Sequence, residues 1–215
     1  MKHGLPVLAA DPGVRLGFGG PAAASDTVSS STGTAAAAGT DAMAADFVPH
    51  VVAWNLTKRC NLECAHCYIA AGSWQSAANE LTTAECLRIA DEIFALSPAP
   101  MFILSGGEPL LRTDLEPIAE HAARRGATVV VGTNGTRLTT DRIGSLQAAG
   151  VTGVAVSIDS LNERYHDRFR HGGGALRDTL DAVERLRAAR LDFVVQTSLT
   201  RGNRTEVASL AAWAA

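Results

Sequence analysis

From Val51 onward the apolar residues keep changing period. Short apolar runs alternate with stretches in which apolar side chains return every three or four positions, the patterns of buried strands and amphipathic helices. VVAWNLT (51–57) predicts a first strand. LTTAECLRIADEIFAL predicts a helix, with Thr82 and Glu85 forming a capping-box pair at its start. MFILS (101–105) is a strand of the buried type and is followed by GGEP. Thr113 and Glu116 predict a second capping box, on a helix that stops near Arg124-Arg125-Gly126 with the glycine closing it. ATVVVGT (127–133) is a third strand, a helix from about Asp141 ends before Gly150, and VTGVAVSID (151–159) is a fourth strand. ALRDTLDAVERLRAAR (175–190) carries Leu176, Leu180, Val183 and Leu186 on one stripe. LDFVVQTSLT (191–200) is a fifth strand, and Asn203 with Glu206 predicts the cap of a last helix.

Five strands in strict alternation with helices predict an α/β fold with a parallel sheet and right-handed crossovers. No glycine-rich dinucleotide fingerprint follows the first strand, which argues for a partial (β/α) barrel of the TIM type over a Rossmann sheet. Residues 1–46 belong to a different regime. Positions 20–46 are almost all Ala, Ser, Thr, Gly and Asp, too little apolar surface to offset the entropy of ordering. They predict a disordered low-complexity leader ahead of one core domain over 47–215.

A formal net charge of −3 provides no footprint for nucleic acid, and no apolar stretch approaches the ~20 residues of a membrane helix. The short apolar run near the N-terminus is broken by Pro6 and makes a poor secretory signal. Cytoplasm is therefore the expected location. The four cysteines do not resemble an extracellular disulfide framework, because Cys60, Cys64 and Cys67 crowd into RCNLECAHCY. Cys86 falls inside the first predicted helix and reads as a small apolar residue. Three thiolates are one short of a closed tetrahedral zinc site or a fully ligated iron–sulfur cluster. Zinc with His66 as fourth ligand would need the adjacent His66 and Cys67 to reach one ion together. His66, His166 and His171 otherwise read as orienting or surface groups.

In parallel α/β architectures, ligands sit at the carboxyl ends of the strands. The cysteines follow the first strand. Ser105, Gly106, Gly107 and Glu108 follow the second, and Thr133 and Asn134 the third. Ser157 and Asp159 end the fourth, and Gln196 and Ser198 the fifth. The spacing Cys60-x3-Cys64-x2-Cys67, with SGGEP after the next strand, resembles the radical S-adenosylmethionine (radical SAM) superfamily. GTNGT, VSIDS and HDRFR are similar to the branch containing peptide-modifying maturases and tetrapyrrole side-chain enzymes. The resemblance implies one [4Fe–4S] cluster on the three cysteines, with S-adenosylmethionine chelating the fourth iron through its amino and carboxylate groups. It also implies an enzyme in which reductive cleavage yields a 5′-deoxyadenosyl radical that abstracts hydrogen from a peptide or tetrapyrrole. An electron donor such as flavodoxin or ferredoxin is implied with it.

Residue by residue, the resemblance assigns the stretch Gly106 and Gly107 to the methionine amino group, with Glu108 as the partner of the ammonium. Ser157 and Asp159 would meet the ribose hydroxyls or the methionine end. Arg170 would grip the methionine carboxylate in bidentate fashion. Asn134 and Gln196 would contact adenosine or substrate. Relatives in that branch usually continue through a sixth strand and further cysteines, whereas no cysteine follows Cys86 here. A truncated chain is the expectation, with the fifth strand left as an exposed edge. The alternative function is a non-catalytic module that binds a cluster or a partner.

Overall fold

In a computed structural model, which describes residues 48–214, the chain folds as the pattern of apolar runs requires. The strands are β1 (Val51–Thr57), β2 (Met101–Gly106), β3 (Thr128–Thr133), β4 (Val151–Ser157) and β5 (Asp192–Gln196). The helices are α1 (Thr83–Leu96), α2 (Leu115–Arg124), α3 (Thr140–Ala148), α4 (Glu163–Arg170), α5 (Ala175–Ala189) and α6 (Val207–Ala214). All four strand pairings are parallel, and the spatial order β1-β2-β3-β4-β5 is the chain order. A doubly wound sheet reverses its order at a switch point. This one never reverses, so it is an incomplete (β/α) barrel. The expected leader over 1–46 lies outside the described residues.

Alternation along the strands divides the sheet into two faces. Phe102 and Leu104 of β2, Val129 and Val131 of β3, and Val154 and Val156 of β4 are buried in one core with Leu115 and Ile118 of α2, Ile143 and Leu146 of α3, and Val183 and Leu186 of α5. Their neighbours along the strands point to the opposite face, where Val51, Met101 and Val194 are exposed. The carboxyl ends of the strands are therefore held by a continuous apolar layer beneath them.

Three local expectations are corrected. The α1 capping box forms as predicted, with Glu85 N–H donating to Thr82 Oγ1 and Thr82 N–H donating to Glu85 Oε2 at 2.8 Å. At α2, however, the N-cap position belongs to Asp114, not Thr113. Glu116 cannot complete a box there, because its carboxylate accepts from Ser145 at 2.8 Å and pairs with Arg142 at 3.1 Å. Nor does Asn203 cap a helix. Its side-chain amide donates to the carbonyls of Asp159 (2.7 Å) and Ser198 (3.0 Å), and α6 starts only after a 3-10 turn over Arg204–Glu206. Asn203 also accepts from Thr200 N–H, and Asp159 accepts from Ser198 N–H. Those side-chain bonds help draw the chain out of the ladder, so β5 ends at Gln196 instead of running to Thr200.

Candidate metal centre

The loop between β1 and α1 is closed on itself before it holds anything. Cys60 N–H donates to Gly72 O and Gly72 N–H to Lys58 O, each at 3.2 Å, tying the two ends of the cysteine segment. The end of α4 anchors its middle, since Glu63 N–H donates to Arg170 O at 3.3 Å and Ala65 N–H to Phe169 O at 2.9 Å. His66 stacks on Phe169 with ring centroids 4.4 Å apart. Behind the loop a charged clasp is assembled. Arg59 donates to Glu80 at 3.0 Å through both Nε and Nη2, Thr57 Oγ1 bonds the same carboxylate, and Arg112 pairs with Glu80 and Asp114.

All three clustered cysteines border one cavity of about 270 Å³ at the carboxyl ends of the strands. Cys60 and Leu62 are buried in a small apolar cluster with Ala71 and Ala175, against which Cys64 and Cys67 pack. Burial pushes the Cys60 thiol up to about 11 and raises that of Cys64, where Arg170 opposes the shift. Charge on these sulfurs therefore needs a cation in the cavity. Donors to receive that charge are in place: Leu62 N–H lies 3.4 Å from Cys60 Sγ, Ala71 N–H 3.2 Å from Cys67 Sγ, and Asn134 Nδ2 3.8 Å from Cys60 Sγ. Hydrogen bonds of this kind tune iron–sulfur centres. Among the described residues no trio of His, Cys, Asp or Glu is arranged around a single metal ion. Three thiols of one loop that border one cavity, with N–H donors aimed at two of the sulfurs, are a donor set that fits an iron–sulfur cluster.

The strand ends supply the opposite wall: Ser105, Gly106 and Gly107 from β2 and its exit, Asn134 after β3, and Ser157 and Gln196, which are register partners on β4 and β5. Gly106 and Gly107 border the cavity, but the demand for glycine comes from behind. A Cβ would lie 2.3 Å from Thr57 O at Gly106 (φ +132°) and 2.3 Å from Arg59 O at Gly107. The glycines let the β2 exit press onto the root of the cysteine loop.

Two carboxylates expected at the ligand do not border the cavity. Glu108 is fully buried, and its oxygens accept from Thr133 Oγ1 (2.8 Å), Asn134 N–H (2.8 Å) and Leu110 N–H (3.1 Å), stapling the β2 exit to the β3 exit. Burial pushes its carboxyl above the usual range. Asp159 is also buried. Its Oδ2 accepts from both Nε and Nη2 of Arg170 at 2.8 Å, and its Oδ1 accepts from Ser198 N–H at 2.8 Å. Arg170 does border the cavity, so Asp159 aims the guanidinium that Arg170 presents. Asn134 divides its amide between Asn61, Thr136 and Cys60, bracing the cysteine loop from the cavity side.

The site also holds residues that strand-end reasoning passed over. His66 and Tyr68 border the cavity from the loop, and Tyr68 donates to Asn55 at 3.1 Å. Their position between and beside the cysteines was the available signal. His166 is wholly buried on α4, with neither ring nitrogen hydrogen-bonded and Asp167 Oδ1 3.5 Å from Nδ1.

A family model described as the radical SAM superfamily matches residues 54–212. An AdoMet-dependent heme synthase of Methanosarcina barkeri is 43% identical over 159 residues, 74% of this chain and 45% of that protein. The mycofactocin maturase MftC of Mycolicibacterium smegmatis is 32% identical, over 78% of this chain and 42% of its own length. The chain thus spans less than half the length of these relatives. Among solved structures, Streptococcus suis SuiB bound to S-adenosylmethionine superposes with a TM-score of 0.66 at 12% identity, covering 77% of this chain and 37% of SuiB. anSMEcpe with bound AdoMet and a peptide superposes at 0.64 and 18% identity, over 77% of this chain and 48% of that one. At those identities the likeness is one of fold.

Proposed function

Since this chain belongs to the radical SAM superfamily, whose members use a [4Fe–4S] cluster and S-adenosylmethionine, we propose that Cys60, Cys64 and Cys67 hold such a cluster in the core of an enzyme that modifies a tetrapyrrole. The observation that carries this reading is the single cavity bordered by three cysteines of one loop and by the ends of β2, β4 and β5. When bound, such a cluster would supply the electron for reductive cleavage of S-adenosylmethionine and so the radical chemistry for hydrogen abstraction.

The chain's own residues then bind and orient. Arg170, already fixed in angle by Asp159, meets the methionine carboxylate with the guanidinium edge that Asp159 leaves open. The main chain at Gly106 and Gly107 takes the ammonium, and Ser157 meets the ribose or methionine end. Asn134 and Gln196, which both border the cavity, would contact adenosine or substrate. Glu108 and Asp159 act one step removed, through the groups they hold. A flavodoxin or ferredoxin is the expected electron donor.

A tetrapyrrole is favoured over a peptide because the 43% identity is to a heme synthase, against 32% to the peptide maturase. Anaerobic reconstitution with iron and sulfide, then assay for 5′-deoxyadenosine under dithionite with and without an iron porphyrin, tests the reading. The expected result is four irons per chain and nucleoside release stimulated by the porphyrin. Stimulation by a maturase precursor peptide instead would move the substrate class, and a loaded cluster without cleavage would leave a binding module.

A further inference from the structure

Arginines are unevenly matched on this molecule. Arg59, Arg88, Arg112, Arg124, Arg125, Arg142, Arg170, Arg177, Arg185 and Arg187 all stand within ion-pair distance of a carboxylate. Six arginines are exposed and enter no ion pair among the described residues: Arg137 after β3, Arg190 at the end of α5, and a group of four, Arg164 and Arg168 on α4 with Arg201 and Arg204 on the turn after β5. These four share one side of the molecule. Tyr165 of α4 bonds Thr200 at 2.7 Å, and a Cβ on Gly202 would lie 2.7 Å from the Tyr165 ring, so the 200–204 turn rests against α4.

Helical spacing puts Arg164 and Arg168 together on the outer face, opposite the buried His166 and Arg170, with exposed His171 directly beyond. Of the carboxylates on α4, Asp167 is spent on Gly174 N–H (2.6 Å) and Leu176 N–H (2.9 Å) at the start of α5. Glu163, in the first turn, is exposed and enters no ion pair among the described residues, so it offsets one of the four charges. Four of the six unpaired arginines thus stand on one face against exposed Glu163, a local excess of positive charge on a chain of net charge −3.

That face backs directly onto the cysteine loop. The last carbonyls of α4 hold Glu63 and Ala65, and the rings of His66, Phe169 and Tyr165 stack in sequence, with centroids 4.4 and 5.7 Å apart. His66 precedes Cys67 in the chain, while Tyr165 adjoins the arginine-bearing turn. Close-packed matter thus runs without a break from the charged surface to a cluster ligand.

We propose that the outer face of α4 with the 200–204 turn is the docking surface for an acidic one-electron carrier protein. This inference rests on the cluster reading above. The carrier loses one electron and the cluster gains it; no atom or proton is exchanged. Unpaired charges of one sign steer an oppositely charged partner, and the effect weakens as salt shortens the range of the field.

The test uses the reconstituted full chain and purified flavodoxin. Equilibrium binding is measured at low and high salt for the wild type, R164E/R168E, R201E/R204E and, as a charge-matched control on other helices, R88E/R124E. Each of the first two variants weakens binding by about tenfold or more at low salt and flattens its salt dependence, while the control binds as the wild type does. Dithionite-driven formation of 5′-deoxyadenosine is unchanged in all of them, and the flavodoxin-driven rate falls with affinity. Binding that survives both reversals, or falls equally in the control, overturns the docking surface. So does preference of the same arginines for RNA over flavodoxin. A wild type that takes up no iron, or cleaves nothing with dithionite, strikes the cluster reading instead.

Discussion

Helices α4 and α5 follow one another in the chain and solve opposite problems. The buried face of α5 is Ala175, Leu176, Thr179, Ala182, Val183 and Leu186, which is ordinary core. The buried residues of α4 are His166 and Arg170. Burying a guanidinium and an imidazole costs free energy that burying leucine returns. α4 must therefore be held by directed contacts: Asp159 on Arg170, Asp167 on the start of α5, and its last carbonyls on the cysteine loop. One helix stabilises the domain; the other spends stability to place a charge at the cavity.

The sharpest way to break that contrast is Arg170→Ala. It leaves Asp159 buried without its cation, which costs about 3–5 kcal/mol of stability. It also removes the expected grip on S-adenosylmethionine. Denaturant unfolding of the cluster-free protein should show the first effect, and equilibrium binding of S-adenosylmethionine to the reconstituted protein the second. Arg170→Lys separates the two, since one ammonium cannot copy the two bonds made by Nε and Nη2 to a single carboxylate oxygen. If Arg170→Ala unfolds no more easily than the wild type, the pair does not hold α4.

The matching change on the other helix is Leu186→Ala. Leu186 is wholly buried, and its truncation should cost about 2–5 kcal/mol by lost burial and a residual cavity. Affinity for S-adenosylmethionine, measured well below the unfolding transition, should be unchanged. A loss of affinity equal to that of Arg170→Ala would erase the distinction between the two helices.

The same contrast explains what the sequence could and could not disclose. α5 and the strands were legible because their burial is apolar and periodic, and the cysteine spacing marked the loop that borders the cavity. α4 was passed over, since its fully buried residues are His166 and Arg170 and its apolar signal is one half-buried aromatic pair, Tyr165 and Phe169. The strand-end rule found the mouth of the cavity but not the direction of each side chain. Glu108 and Asp159 stand where a ligand carboxylate would, yet they turn to neighbouring loops and to Arg170. Thr113 and Asn203 had cap-forming chemistry, but Asp114 holds the α2 cap position and Asn203 is consumed by tertiary hydrogen bonds.

A smaller effect tests whether α4 also depends on its own ends. Asn162 caps it by accepting from Tyr165 N–H at 3.1 Å, and His171 closes it in the left-handed region at φ 50°. Asn162→Ala should cost about 1 kcal/mol, as cap deletions do. Because α4 anchors Glu63 and Ala65, hydrogen exchange at those two amides should quicken with it. Exchange confined to α4 itself would show that the cysteine loop is held independently.

The smallest effect at neutral pH, and the most specific, belongs to His166. Burial holds its imidazole below the ordinary value of 6.5, with Arg170 pushing the same way and Asp159 and Asp167 pulling against them. The folded state therefore disfavours the imidazolium that the unfolded chain accepts readily. Its contribution to stability is complete above pH 6.5 and is lost as pH falls through the depressed folded value. Replacing an unbonded imidazole by an apolar group of similar volume leaves no partner stranded, because neither ring nitrogen is hydrogen-bonded. His166→Leu should thus match the wild type at pH 7.5 to within about 1 kcal/mol and lose less stability than the wild type on acidification. The difference between the two slopes isolates His166, since Asp159, Asp167 and Arg170 are present in both. Identical slopes would mean that His166 finds a proton acceptor on acidification, with Asp167, 3.5 Å away, the nearest candidate. α4 would then tolerate charge on both of its buried side chains, and its contrast with α5 would be wider still.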